Sequence, residues 1–583
     1  MKYSINPKID NFLPYDIAVL KARGVENPKG YLNPGWEHYL DASVLDNIVP
    51  ACMLLRKHFT SPTSRIALIV DSDMDGICSA AMVYLWAKNF FPTKEITYLL
   101  HEGKQHGLED MMERLEDFNF VIIPDAGSND YEFHRELKSM GTDILVLDHH
   151  EAEKYSEDAV VVNNQLSKRY ANKNLCGSGV VLKFLHFYEH HFYGDDFIGQ
   201  THLGLADSLF DLAAAATISD VMSLTTTENR FIVSKGLANI TNYGLKTFVE
   251  KQAYSLKGKV TPIGIAFYIA PIVNAILRVG TYEDKDLLFR AFIRGRDTEP
   301  STKRGHKPGE VEIVAEKAFR IGTNCRSKQN KLMDLGEKLI LNDIYERGLD
   351  TYPIIFVDLS DELAATIPSE LTGLIAMRIN NDFNKPTLIG RFGNNNCIKG
   401  SIRNNSKNGL DFKEFLLESS CFEFVEGHAN AAGFSIPITQ VEELLNYSTY
   451  KLHDVDLSES IYVVDYEFTQ DMLHEIDILA DEVMSHGDIW GNDVEAPKIA
   501  IKDILINSSD VMIMGKDKDS AKVTVDGIEI VKFKDADFVA KIQEYPMFRL
   551  TAVGEVGINE FAGRTTSQFI IRDYELANAK YDF

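Results

Sequence analysis

The chain has 583 residues, 45% of them hydrophobic and 25% charged, with a formal net charge of −26 at pH 7. That length exceeds one core, so roughly three or four domains are expected, with the composition of an ordinary globular protein. So acidic a composition counts against wrapping nucleic acid over a large surface, although a local basic groove is compatible with it because salt screens fields beyond about 10 Å.

The N-terminus, MKYSINPKIDNFLPYD, has no apolar core of a secretory signal. The best apolar run, residues 212 to 224, is short and contains Asp220, so no membrane span is expected and a cytosolic location follows. The six cysteines (52, 78, 176, 325, 397, 421) are scattered, with no C-x-x-C pair. That argues against a disulfide framework and a zinc–thiolate site.

From 62 to 163, short apolar runs alternate with helical patterns: 66–70 (IALIV), 96–100 (ITYLL), 119–123 (NFVII), 143–147 (DILVL) and 159–162 (AVVV). This alternation predicts βαβ units and a parallel sheet. Residues 177 to 250 read mostly helical, with a break near Thr225 to Thr227, and 310 to 345 read as a long polar connector helix. A second α/β stretch begins at 353 (PIIFVDL), passes through a helix at 369–383 and resumes at PTLIGRF. From about 496, short strands separated by turns predict an all-β tail of small-barrel size. Two basic windows stand out. Residues 385 to 410 carry Lys385, Arg391, Lys399, Arg403 and Lys407 and no acid; residues 294 to 307 carry Arg294, Arg296, Lys303, Arg304 and Lys307 against Asp297 and Glu299.

The run IALIVDSDMDG, 66 to 76, ends a buried-strand pattern in Asp71, Asp73 and Asp75, then Gly76. Carboxylates at the carboxyl end of a parallel strand lie where open α/β sheets place ligands, and three so close repel unless a cation joins them. An EF-hand loop also opens D-x-D-x-D-G, but its twelfth position, a Glu ligand, would here be Met82, and a strand rather than a helix precedes it. A solvated Asp-rich turn is the other alternative.

Further polar groups fall at the ends of neighbouring elements: Asp125 after NFVIIP, Asp148-His149-His150 after DILVL, and Asp220 after DLAAAATIS. Strands in a sheet lie about 4.8 Å apart, so their ends can surround two ions roughly 3.5–4 Å apart. Mixed carboxylate and imidazole donors suit Mn²⁺ or Mg²⁺.

VDSDMDG, IIPDAG, LDHHE and ISDV, in this order, resemble the four phosphoesterase motifs of the DHH superfamily. VEGHANAAG at 425 to 433 resembles the G-G-H-x-x-A-A-G signature of the associated second domain (DHHA1), with Glu426 in place of the first glycine. KGSIRNNS at 399 to 406, IAPIVNAILRVG at 269 to 280 and the closing FAGRTTSQFIIRDYEL resemble RecJ-like exonucleases, the last through their OB domain. The resemblance runs from ARGV at 22–25 nearly to the C-terminus.

The resemblance implies an α/β fold: a parallel-sheet DHH domain, a long helix, a smaller α/β DHHA1 domain and a C-terminal OB-like barrel. The expected bounds are 1–60 for a segment packing on the DHH domain, 61–290 for that domain, 291–350 for the connector, 351–455 for DHHA1, 456–495 for a helical linker and 496–583 for the barrel. It also implies a two-metal exonuclease acting on single-stranded DNA, with a 5′-end preference, in DNA repair or recombination. Asp73, Asp75, Asp125, His149 and Asp220 match metal ligands; Asp71 is a ligand or a support. Asp125 would position the attacking water, Asp148 would orient the His149 ring, and His150 would donate to the scissile phosphate. Ser401, Arg403 and His428 match phosphate contacts, and Asn274 and Arg278 match groups near a cleft that admits single strands, with the 385–410 window lining it. The family's R-x-x-E-G-Y-G is replaced by GKQHGL at 103 to 108, so Lys104 or His106 is expected to substitute in binding phosphate, and the A-P-x-x-N-A segment lacks one basic residue. A monomer is expected, with single-strand-binding protein as a candidate partner. The rival functions are a small-substrate phosphodiesterase (nano-RNA, cyclic dinucleotide or 3′-phosphoadenosine phosphate), a non-catalytic replication or repair scaffold, and a pyrophosphatase. Small-substrate enzymes of this superfamily usually end after the second domain.

Overall fold

The structure is a computed structural model. It describes all residues except 104, 194–203, 306, 308, 394–395, 405–409, 454, 456–460, 562–563 and 580–583; of 193, 428, 461, 484, 560, 561 and 564 it describes the backbone alone. The chain forms two compact units: residues 8–326 with 485–496, and residues 1–7, 327–484 and 497–583.

The first unit is built on a five-stranded parallel sheet in the order Thr97–Leu100, Ile66–Val70, Phe120–Pro124, Asp143–Asp148, Val160–Asn163. Ile66–Val70 and Phe120–Pro124 are buried at every residue, which is why both read as unbroken apolar runs rather than alternating ones. From Ile66–Val70 the chain crosses to one side, to Thr97–Leu100, and returns on the other at Phe120–Pro124. The sheet therefore has its switch point at the carboxyl ends of these two neighbouring strands, where open α/β sheets hold ligands. Those ends carry Asp71, Asp73 and Asp75, and Asp125.

The helices Met74–Phe90, Gly177–Tyr193 and Phe210–Ser219 pack on one another in this unit. Among the described residues, Pro262–Val279 rather than 212–224 is the stretch long and apolar enough to cross a membrane, with mean hydropathy 1.7, and 61% of it is buried inside the structure. It packs on the helix Val314–Arg347 through Ile272, whose side chain leaves no room for a Cβ at Gly322.

The second unit contains a five-stranded mixed sheet in the order Phe424–His428, Ala431–Pro437, Cys397–Arg403, Thr387–Phe392, Ile355–Leu359. Phe356, Leu388, Ile398, Phe412 and Phe434 form its core. A seven-stranded sheet follows, dominated by the long antiparallel pair Met547–Phe561 and Arg564–Asn578, with a register shift at Val553/Gly554 that bends it. Segment 456–495, expected as a helical linker, holds the helix His474–Ser485 but also the strands Ile461–Val464 and Tyr466–Phe468. These are short apolar alternations that a helical period obscures. Ile461–Val464 pairs in parallel with Lys2–Ile5, so the first residues of the chain join this unit, while the rest of the 1–60 segment joins the other.

The 385–410 window is not a uniform channel lining. Lys385 Nζ donates to the Asp350 and Tyr352 carbonyls, and the Arg391 guanidinium to those of Ala364 and Ile367. Both cations are spent on main-chain carbonyls of their own unit, a need that local charge counting does not reveal; Lys407 lies outside the described residues.

Candidate metal centre

Asp73 caps the helix Met74–Phe90, its Oδ1 accepting from Gly76 N at 3.0 Å. The strand in front and the helix immediately behind exclude an EF-hand. Gly76 is required there, because a Cβ would lie 2.4 Å from that of Asp71. Asp75, in the first turn, points at the N-terminus of a second helix, Gly177–Tyr193: its Oδ2 accepts from Gly177 N at 2.7 Å and its Oδ1 from Ser178 N at 2.8 Å. The exposed N–H groups of a helix start hold a carboxylate charge well. Gly177 also meets Asp125, whose Oδ1 would sit 2.2 Å from an added Cβ. Asp125 follows its strand with φ 70°, a left-handed turn that aims its side chain back into the cluster.

Three sets of donor atoms lie within 4.8 Å of one another: Asp71, Asp73 and Asp125; Asp75, His149 and Asp220; and Asp125, Asp148, His149 and His150. His149 Nε2 is 3.3 Å from Asp125 Oδ1 and 3.6 Å from Asp220 Oδ2. Asp71 Oδ1, Asp125 Oδ1 and Asp220 Oδ2 are buried and have no hydrogen-bond partner among the described residues. Burial, then the charges of Asp75, Asp73, Asp71 and Asp220, pushes the Asp125 carboxyl well above the usual range. Burial, then Asp75, Asp73 and Asp71 against the opposing His150, push Asp220 up to about 9. Such a set is unsatisfied unless a cation shares it. Burial, then the neighbouring His150, keeps His149 below its ordinary value, so it is a neutral imidazole fit to ligate. Hard oxygen donors with one imidazole match Mn²⁺ or Mg²⁺.

Asp148 does not orient the His149 ring. Its Oδ1 accepts from the His149 and His150 backbone N–H groups (2.7 and 3.2 Å) and from His150 Nδ1 at 2.8 Å, while its Oδ2 accepts from Ser128 N at 3.0 Å. Burial opposes its charge, but His150 and then His149 and Ser128 hold it well below the usual carboxylate range. Partial enclosure opposes charge on the His150 ring, but Asp148 prevails and pushes it up to about 10. The His150 side chain is 55% exposed, a cation presented to solvent at the edge of the acidic cluster.

Asn274 and Arg278, from the apolar helix, line a cavity of about 180 Å³ with Ser72, Asp73, Asp75, Ser219 and Asp220. His106 Nδ1 lies 2.6 Å from Asp71 Oδ2, with its side chain about half exposed at the edge of the cluster; Lys104 lies outside the described residues. Ser401 and Arg403 lie on the Cys397–Arg403 strand of the other unit. There the Ser401 hydroxyl is 3.4 Å from that of Thr372, and the Arg403 guanidinium passes the next residue, Gly373, where a Cβ would lie 2.6 Å from Nη2. His428 ends the strand Phe424–His428, and its side chain lies outside the described residues.

His101 was missed from the sequence. It follows the strand Thr97–Leu100, is 1% exposed, shares a proton between Nδ1 and Asp110 Oδ1 at 2.7 Å, and brings Nε2 to 3.8 Å from Asp71 Oδ1. Its signal was present: the neighbouring parallel strands also end in a polar residue.

Residues 65–217 match the DHH family, N-terminal domain, and residues 469–573 match the RecJ OB domain. Over 581 residues the chain is 33% identical to the Bacillus subtilis SPbeta prophage protein YorK, provisionally named a single-strand DNA-specific exonuclease, covering 98% of this chain and 97% of that one. The chain belongs to the RecJ family. It is also 24% identical to the single-stranded-DNA-specific exonuclease RecJ of Bacillus subtilis over 538 residues, 89% of this chain and 62% of that protein. The RecJ fold recurs in the crystal structure of Thermus thermophilus RecJ in complex with Mn²⁺, with a TM-score of 0.71 at 19% identity over 97% of this chain and 76% of that one. This RecJ-family chain thus has the expected parallel-sheet α/β fold with an OB domain at its C-terminal end.

Proposed function

We propose that the chain is a divalent-metal-dependent exonuclease that hydrolyses single-stranded DNA from its 5′ end. The observation that carries the proposal is the set of buried, unpartnered carboxylate oxygens at the switch point of the sheet, in a chain whose relatives are named single-strand DNA-specific exonucleases. Asp71, Asp73 and Asp125 would hold one ion, and Asp75, His149 and Asp220 a second. Bound Mn²⁺ or Mg²⁺ would lower the pKa of water and neutralise charge on the phosphate.

The protein's own groups do the rest. Asp125, against His149, would orient the attacking water. His150, kept protonated by Asp148, would donate to a non-bridging phosphate oxygen as charge develops. Asn274 and Arg278 would hold the phosphate that enters their cavity. Ser401, Arg403 and His428 are assigned to the terminal phosphate, with Lys104 as a further contact. In this division 61–290 hydrolyses, 351–455 recognises the strand end, and the β domain at 496–583 holds the trailing strand through stacking and backbone contacts. The match to the RecJ OB domain favours a polymeric substrate over a dinucleotide. The proposal includes a monomer acting in the cytosol, where the six buried free cysteines would stay reduced, with single-strand-binding protein as a partner to test.

Asp125→Ala and His149→Ala should each abolish cleavage while leaving the circular-dichroism spectrum of the parent. Retained Mn²⁺-dependent cleavage in both would sink the site assignment.

A further inference from the structure

The apolar stretch Pro262–Val279 buries most of its residues but leaves a line of them open. Ile263 is 43% exposed and Phe267 65% exposed, with Tyr268 beside it at 38%. Along the same face, at spacings of four, four, three and four, follow Pro271, Asn274 and Arg278, each partly exposed. The stripe ends in the acidic cavity, because Asn274 and Arg278 line it. Ile265–Ile269 forms a π-helical turn, a feature frequent at functional sites, and it carries the two aromatic residues outward. Cations accompany the stripe. Arg326 Nη2 donates to the Phe267 carbonyl at 3.5 Å, and the exposed Lys257 and Lys259 precede the helix, their loop held against it by Leu256 under Gly264.

A single exposed apolar residue is ordinary, but Ile263, Phe267 and Tyr268 are exposed together on one short stretch that runs toward a polar cavity, and clustered apolar exposure of this kind marks binding grooves. Phe267 lies seven residues from Asn274, about 10 Å along a helix, or about three stacked bases at about 3.4 Å each. Aromatic faces interleaved with arginine and lysine are what unpaired nucleotides bind, because every base has a π-face and every linkage a phosphate. We infer that Phe267, with Tyr268, is a base-stacking subsite for the strand whose phosphate sits at Asn274 and Arg278. The inference rests on the nuclease proposal and adds a place where unpaired bases are read without sequence preference. A duplex, whose bases are already stacked on each other, cannot use it.

The test is the affinity of the full chain for a fluorescent oligothymidylate in EDTA, where no strand is cut. Phe267→Ala should weaken binding by roughly fivefold to a hundredfold, the range for losing one stacked base. Phe267→Trp should restore it, and the new indole emission should be quenched by the oligonucleotide but not by duplex. Unchanged affinity in Phe267→Ala, or an unquenched indole, overturns the subsite. If the parent chain nonetheless degrades single strands with Mn²⁺, the nuclease proposal survives that result; if the parent neither binds nor cleaves single strands, both fall.

Discussion

Asp125 is the residue on which the centre turns. It closes one triad of donors, touches the histidine of the other, and has a buried oxygen with no partner among the described residues. Asp125 and Asp220 are both raised, and a carboxyl whose folded pKa exceeds its unfolded value favours folding only below the unfolded value, so the advantage is lost as pH climbs toward the folded one. The metal-free chain should therefore lose stability between about pH 4 and pH 9. Mn²⁺ should remove that slope, and Asp125→Asn should melt a few degrees above the parent in EDTA yet gain much less from Mn²⁺. Scanning calorimetry at pH 5 and pH 8, with and without metal, measures this; equal metal responses of parent and variant would contradict the assignment. Arg403 belongs to the same scale. Its replacement by Ala should raise KM on 5′-phosphorylated strands far more than on 5′-hydroxyl strands, and equal effects would remove it from the terminal phosphate. Asp73, Asp75, Asp125 and His149 were legible because each ends an apolar run. The partner of Asp148 was not, because the choice between adjacent imidazoles is made by χ angles, which sequence does not carry.

At the level of elements, the parallel strands were legible from their unbroken apolar runs, and the helix Val314–Arg347 from its periodicity. The N-terminal contact of Gly177–Tyr193 with Asp75 and Asp125 was hidden, since it depends on Gly177, whose missing Cβ matters only in three dimensions. The helix Tyr131–Ser139 carries a different liability. His134 is fully buried among the apolar residues under the sheet, neither ring nitrogen has a partner among the described residues, and burial lowers its pKa to about 4. A depressed histidine stays neutral in the fold while the unfolded chain takes up a proton below about 6.5. Stability is thus lost as pH falls from about 6.5 to about 4, by about 3 kcal/mol in all. Urea titrations of His134→Leu against the parent should show the variant gaining by this amount over that window. A pH-independent difference would mean that His134 is satisfied in solution.

Over the whole molecule, a net charge of −26 and a DNA substrate are reconciled locally, not globally. Most of the acids of the proposed centre gather in one cluster, and the cations proposed to meet phosphate are few: His150, Arg278, Arg403 and Lys104, with Arg326, Lys257 and Lys259 along the aromatic stripe. The basic window at 385–410 looked like a larger surface in sequence than it is, because Lys385 and Arg391 hold carbonyls of their own unit. The pairing of Lys2–Ile5 with Ile461–Val464 was beyond sequence reasoning, since a four-residue parallel pair formed across the length of the chain leaves no local pattern. Together these parts are proposed to remove nucleotides from the 5′ end of a single strand. Single-stranded DNA labelled separately at each end, digested with Mn²⁺ beside a duplex control, tests it most directly. A 5′ label should be released at once as mononucleotide and a 3′ label only through a ladder of shortening strands, with duplex intact and Asp125→Ala inert. Release of the 3′ label first, or equal attack on duplex, would contradict the account.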